Sequence, residues 1–287
     1  LEVLSDILRS MRVTGSVYFC QAVEPPWSMD FSESKKACFH YIRKGDCWLT
    51  SADQVARLGP GDLLYVEAGL DHTLASDEPG TTGHPAQSST LLLCGYCEFE
   101  AHISHPLLES LPKIIIVTAE ELLQHSWLKT TLDQLSAEYL SQKPGSSVVV
   151  DKLTEILLVE LIRINFGRPE QTGFIGALFD RQISKALQLM HAEPQELWTL
   201  DKLATLVAMS RAAFAKRFKD RVGQTMFEYL TALRMQHAQS LLRDSELRLY
   251  EVANQVGYES DLAFAKAFKR LLGMTPTMYR KQSRGPG

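Results

Sequence analysis

SRAAFAKRFKDRVG, from Ser210 to Gly223, is followed fifty residues later by SDLAFAKAFKRLLG, from Ser260 to Gly273. Eight of the fourteen positions are identical: Ser210/Ser260, Ala213/Ala263, Phe214/Phe264, Ala215/Ala265, Lys216/Lys266, Phe218/Phe268, Lys219/Lys269 and Gly223/Gly273. In each copy a serine stands where it can cap a helix, two phenylalanines sit a turn apart, and a glycine supplies the left-handed stop. The repeat predicts two copies of one helical device, with Phe214, Phe218, Phe264 and Phe268 inside.

Working outward, Leu200, Leu203, Ala204 and Val207 recur at helical spacing behind a capping Thr199, and Ala208-Met209 makes a turn. Ahead of the second copy, Val252, Ala253 and Val256 do the same, with Gly257-Tyr258-Glu259 as a turn one residue longer. Between the copies Thr225 caps a long helix, Met226 to about Arg243, with Leu230, Leu233, Ala238, Leu241 and Leu242 inside. Two helix-turn-helix units joined by a helix are expected. An α-helix fits the DNA major groove, its first residues reach base edges, and its N-terminal amides hold phosphate. The outward faces are then Ser210, Arg211, Ala212, Ala215, Lys216 and Lys219 in the first unit. In the second they are Ser260, Asp261, Leu262, Ala265, Lys266 and Lys269. The competing reading, a helical bundle with solvated lysines, does not explain two copies with matching caps.

Charge supports a polyanion partner. From Arg181 onward there are 17 Lys/Arg and 10 Asp/Glu, a balance of +7; the first 180 residues hold 13 and 24, a balance of −11. The net −4 hides this division. No apolar run reaches the roughly 18 residues of a membrane span, and the first residues have no signal-peptide plan, so a cytoplasmic protein is expected. Five cysteines, an odd number, argue against a disulfide framework.

The segment from about 181 to 282 resembles the DNA-binding domain of AraC/XylS-type transcription regulators. VANQVGYESDLAFAKAFKRLLGMTPTMYR carries the resemblance, with Gly257-Tyr258, Phe264, Phe268, Lys269, Gly273, Pro276 and Tyr279-Arg280 in place. It implies double-stranded promoter DNA as partner, read in successive major grooves ~34 Å apart. It also implies RNA polymerase as a partner. The reading faces depart from better-armed relatives in being small and apolar.

The front of the chain changes period. SVYFCQAV, ACFHYI, CWLTS, LLYVEA and TLLLCGYCEF read as short strands, and Pro79–Ser89 as a loop. Residues 120–141 and 149–166 read as two helices that cover the strands or pair with a second chain; Gly167–Gly176 reads as a linker. His40-Tyr41-Ile42-Arg43-Lys44-Gly45, Leu58-Gly59-Pro60-Gly61-Asp62 and His72 resemble cupin sensor domains of this regulator class. The usual His-x-His and Glu of cupin metal centres are missing. Cys20, His40, His72 and Cys94 come from four strands or strand ends and form a set suited to tetrahedral Zn²⁺. Cys47 is a substitute, whereas Cys97 faces away from Cys94 on a strand. Cys20 and Cys94 also match the positions of redox-active cysteines in regulators resembling this one. The plainer readings are buried thiols and hydrogen-bonded core histidines.

The expected fold is α+β and multidomain: an N-terminal cupin-like β-barrel with a helical pair, then an all-α double helix-turn-helix. Residues 1–118 are the expected sensor, 119–167 a dimerisation and linker segment, and 178–287 the DNA-binding domain. The expected function is a sequence-specific transcription regulator, an activator that answers an oxidant, electrophile or small ligand and pairs as a homodimer. A cupin metalloenzyme with an appended helical domain and a constitutive DNA binder are the rival readings; no enzymatic activity is expected.

Overall fold

The structure is a computed structural model that describes residues 2–11, 13–32, 35–80, 88–99, 105–166 and 173–284. Most of the loop expected at 79–89 and of the linker expected at 167–176 lies outside the described residues. The chain forms two compact units. One holds 13–99 and 111–167, the other 1–12, 100–110 and 168–287.

Among the described residues the first unit contains nine strands: β1 (Val13–Val23), β2 (Ser28–Phe31), β3 (Ala37–Lys44), β4 (Cys47–Ser51), β5 (Val55–Leu58), β6 (Leu63–Val66), β7 (His72–Ala75), β8 (Thr90–Phe99) and β9 (Ile114–Val117). They form two antiparallel sheets, ordered β1-β8-β3-β6-β9 and β2-β7-β4-β5. The expected barrel is thus formed as two sheets sharing one core. Its interior is one apolar cluster drawn from both sheets, including Ile42, Leu64, Leu92 and Cys94 of the larger and Cys47, Leu49, Leu58 and Leu74 of the smaller. Of the five four-residue strands, β2, β5, β7 and β9 escape the sequence pattern because four residues give little alternation to read, whereas β6 stands out as an unbroken apolar run. Gly95 lies opposite Phe39, and a Cβ there would meet the Phe39 ring at 2.3 Å, so the glycine makes room for that fully buried ring.

The same unit also holds, among the described residues, the helices α3 (Ala119–Gln124), α4 (Ser126–Ser141) and α5 (Ser146–Phe166). They follow α2 (Pro106–Glu109) of the other unit in sequence. The helix expected over 120–141 is broken at His125, whose backbone leaves the helical region. Thr118 and Glu121 form a reciprocal cap at the start of α3. The 119–167 segment packs as part of the sheet unit, α5 lying on β1.

The second unit is helical: α1 (Glu2–Met11), α2, α6 (Gly173–Phe179), α7 (Arg181–Ala192), α8 (Leu200–Leu206), α9 (Arg211–Val222), α10 (Met226–Asp244), α11 (Leu249–Gln255), α12 (Asp261–Leu272) and α13 (Pro276–Ser283). Helix α1 docks here, on α7 and α10, with Val3 and Ile7 buried, although its residues precede the first strand. The repeat runs further than its strongest sequence match. Phe218 meets Tyr229 edge-on at 6.0 Å, and Phe268 meets Tyr279 at 5.6 Å with the same 72° tilt. Each tyrosine follows a capping threonine, Thr225 or Thr275. Each helix-turn-helix thus closes its own aromatic core against the first turn of the next helix.

Candidate functional site

The two candidate reading helices, α9 and α12, are built alike. Ser210 Oγ accepts from the Ala213 amide at 3.3 Å and Ser260 Oγ from the Ala263 amide at 3.2 Å. Gly223 and Gly273 are left-handed C-caps at φ 86° and 74°. Phe214, Phe218, Phe264 and Phe268 are fully buried. Truncation of such a ring to alanine costs about 3–5 kcal/mol, so the rotation of each helix about its axis is firmly set. Ser210, Arg211, Ala212, Lys216 and Lys219 are exposed and Ala215 is half-buried; Ser260, Asp261, Leu262, Lys266, Lys269 and Ala265 repeat that pattern. Arg211 pairs with Asp201 at 3.3 Å across the turn, both mostly exposed. Lys216, Lys219, Lys266 and Lys269 have no ion-pair partner among the described residues.

Sequence reasoning missed what holds these helices in place. Asp180 caps α7, accepting from the amides of Gln182 and Ile183 at 3.1 and 3.2 Å. Its other oxygen accepts from Arg217 Nε of α9 at 2.7 Å, and Arg221 Nε stands 3.8 Å away. Burial pushes the Asp180 carboxyl up, but Arg217 and the two amides outweigh it and hold it below the ordinary carboxylate value. The signal was an aspartate one residue before an apolar-periodic run, a recognisable cap. Arg234 of α10 donates to the carbonyls of Pro194 and Glu196 at 2.7 and 3.0 Å and lies over the Tyr258 ring. It joins the two helix-turn-helix units. Gly257, at φ 80°, passes so close that a Cβ would meet Gln195 O at 2.6 Å and Arg234 Nη2 at 2.7 Å. The matching turn residue in the first unit, Ala208, takes φ 56° with a side chain present.

In the sheet unit, His40, His72 and Cys94 meet inside the sandwich. His40 Nδ1 lies 3.0 Å from Cys94 Sγ, and His40 Nε2 lies 3.0 Å from His72 Nε2. His72 Nδ1 lies 3.2 Å from the Leu70 carbonyl. A carbonyl only accepts, so His72 carries its proton on Nδ1 and accepts at Nε2. His40 therefore donates from Nε2 and accepts at Nδ1, and the Cys94 thiol is the donor. This assignment satisfies every group with neutral side chains. Burial and the neighbouring His72 hold His40 down to about 3, burial lowers His72, and burial raises Cys94. Phe31 stacks on His72 at 4.8 Å and tilts over His40 at 4.6 Å.

Cys20 does not join them. It lies opposite Leu93 on β8, and Leu93 lies opposite Tyr41, whereas Cys94 lies opposite Phe19 and His40. Adjacent strand residues point to opposite faces, so Cys20 is on the outer face of the sheet and Cys94 on the inner. Arg43 Nη1 approaches the Cys20 thiol at 3.9 Å. Burial raises the Cys20 thiol and Arg43 partly offsets it. The four-ligand set of Cys20, His40, His72 and Cys94 is thus corrected: three of the four meet. The two His40 nitrogens point at different partners, so the three do not converge on one centre. Among the described residues no group of three or more His, Cys, Asp or Glu side chains could hold a metal ion. Cys47 shares the interior with Cys94, and Cys97, opposite Ala37 and Gly15, faces outward. Burial pushes Cys47 and Cys97 up to about 12.

Comparison with known proteins also separates a front from a rear region, although the front match takes in α1 and α2, which pack in the helical unit. The Cupin family model matches residues 2–167 and the Helix-turn-helix domain model matches 203–282. A protein described as an AraC-like transcription regulator from Streptomyces antibioticus is 30% identical over 98% of this chain and 99% of its own. The RCS-specific HTH-type transcriptional activator RclR of Escherichia coli is 28% identical over 99% of both chains. Among solved structures, the DNA-binding domain of AdpA in complex with a target DNA is 31% identical over 35% of this chain and 91% of that one, with a TM-score of 0.34.

Proposed function

Because the chain belongs to the AraC-like transcription regulators, with a cupin domain in front of its helix-turn-helix region, we propose that α9 and α12 both read promoter DNA. The observation that carries this is the matched exposure of two helices with matched caps and buried rings. Lys216 and Lys266 supply polar contact with bases or phosphate. Ala212, Ala215, Leu262 and Ala265 admit close approach and touch thymine methyls, and phosphate contacts with DNA shape carry the rest. The test is a gel-shift or anisotropy titration of the full chain on promoter fragments at several salt concentrations. Salt-dependent binding that weakens in both Lys216→Ala and Lys266→Ala is expected; loss in only one variant would refute reading by both helices.

The finer reading is a cytoplasmic activator that contacts RNA polymerase, pairs as a homodimer and answers an oxidant. For pairing, Leu123, Trp127, Leu140, Val148, Val149 and Ile156 are large apolar side chains exposed on α3, α4 and α5. Trp127→Glu shifting the chain from dimer to monomer in sedimentation is the expected result, and an unchanged mass refutes it.

For sensing, Cys94 with its two histidines lies one residue out of phase with Cys20, and a relative described as RCS-specific matches 99% of this chain. A β-bulge at Tyr18 separates the register Val17↔Gly95 from Phe19↔Cys94. Carrying the first register past Cys20 would set it opposite Leu92, on the face of Cys94. Hypochlorous acid then takes the electrons of both thiols, giving the Cys20–Cys94 disulfide, chloride, water and a proton. Peptide mapping after one equivalent of hypochlorite should find that bridge. A DNA-binding response that persists in both Cys20→Ser and Cys94→Ser excludes this site. The metalloenzyme reading loses support from the donor geometry: the residues present do not form the usual cupin ligand set.

A further inference from the structure

Within the helical unit a cavity of about 670 Å³ opens between α1, the end of α7, the loop after it, α10 and the end of α11. None of its lining residues belongs to the reading helices. Helix α1 contributes Asp6 and Arg9, which pair at 3.2 Å and leave the wall without net charge. Helix α10 contributes Gln236, His237 and Ser240, and Gln195 and Gln255 add two more amides. Gln236 is 4% exposed, and its Nε2 has no hydrogen-bond partner among the described residues. Burial keeps His191 and His237 in their neutral forms, so the imidazoles add no fixed charge at neutral pH. Ala192, Pro194, Leu241 and Val256 make the rest of the wall apolar, so the lining is divided between polar and apolar surface.

This volume falls within the ~300–1,000 Å³ of small-molecule sites. The walls are rich in groups that both donate and accept: amides, a hydroxyl and neutral imidazoles. A hydroxyl does the same, and the paired Asp6 and Arg9 leave no uncompensated charge to favour a carboxylate or an ammonium. We propose that this cavity binds a neutral, hydroxyl-rich small molecule. The position gives such a ligand leverage. Helix α7 packs on α9 in the first reading unit, α11 on α12 in the second, and α10 joins them. Helix α1 leads within two residues into β1, the strand that carries Cys20. Occupancy therefore ties the lead-in of the sensor to both reading units, independently of the thiol site.

The test is calorimetric titration of the full chain with glucose, sorbitol and myo-inositol, beside gluconate and glucosamine as charged counterparts. At least one neutral compound should bind with Kd below about 1 mM and weaken at least about tenfold in Ser240→Leu and in Gln255→Leu. Both variants should keep their DNA affinity without ligand. Gln255 is exposed, so its substitution carries the test if Ser240→Leu misfolds. The proposal is overturned if no neutral compound binds below about 1 mM, if a charged counterpart binds as tightly, or if binding ignores Gln255→Leu.

Discussion

Replacing Asp180 by alanine should loosen the first reading helix without touching any DNA contact. The side chain is 3% exposed and does two jobs. As the N-cap of α7 it satisfies two backbone amides, and loss of such a cap costs about 1 kcal/mol. As the acceptor of Arg217 it makes a charge-assisted hydrogen bond whose worth is about 1.5–3 kcal/mol when both partners are buried. The Arg217 side chain is 46% exposed and rehydrates when released, so about 1 kcal/mol is the fitting figure. The sum of about 2 kcal/mol corresponds to about a thirtyfold rise in local opening. Hydrogen exchange of the full chain, followed on peptides from 181–192 and 211–222, reads that quantity directly. Arg217→Ala should raise opening about fivefold to tenfold, and the double variant should cost less than the two single costs added, because the residues share one bond. Amides of 181–192 that exchange less than about threefold faster in Asp180→Ala would refute the reasoning. So would full additivity of the two substitutions. Since the Asp180 carboxyl is held below its ordinary value, this stabilisation is complete at neutral pH. It is lost only as pH falls through that lowered value.

Three other outcomes are expected. Ala208→Gly should stabilise the chain by up to about 1 kcal/mol by relieving a left-handed alanine, while Gly257→Ala should destabilise it by more, because the added methyl meets Gln195 and Arg234; thermal unfolding decides both. Lys216→Ala and Lys266→Ala should each reduce the salt dependence of DNA binding by about one unit of slope, and an unchanged slope would place those lysines off the phosphates. His40 sits at about 3 in the folded chain against an ordinary 6.5, so below 6.5 the unfolded chain binds the extra proton. Stability then falls with pH down to about 3 by up to about 1.4 kcal/mol per unit from this residue, and His40→Phe should flatten the acid unfolding profile by that amount. An identical profile would mean that His40 is not buried neutral.

The duplicated reading helix was legible because its period, caps and stops are local. Ser210 and Ser260 cap their own helices, and Gly223 and Gly273 close them. The charge division was legible by counting. The long strands β1, β3, β4 and β8 were legible from β-branched and aromatic runs. Strands β2, β5, β7 and β9 and the break at His125 were not, because four residues without an unbroken apolar run carry too little pattern and nothing in 120–141 interrupts the apolar spacing. The candidate sensor site was half legible. Histidines and cysteines on separate strands could be named as a set, but their faces depend on register. The bulge at Tyr18 shifts Cys20 by one place against β8, and one place is the difference between inner and outer face.

By itself, then, the amino-acid order determined two helix-turn-helix units, a strand-rich front and the identity of the outward residues, since helical period and capping act over a few neighbours. Tertiary structure alone decided which thiol meets His40, which unit receives α1, and how Asp180 and Arg234 hold the reading units in place. Those depend on strand register and on side chains some forty residues apart in the chain, and no local period encodes a contact across that distance.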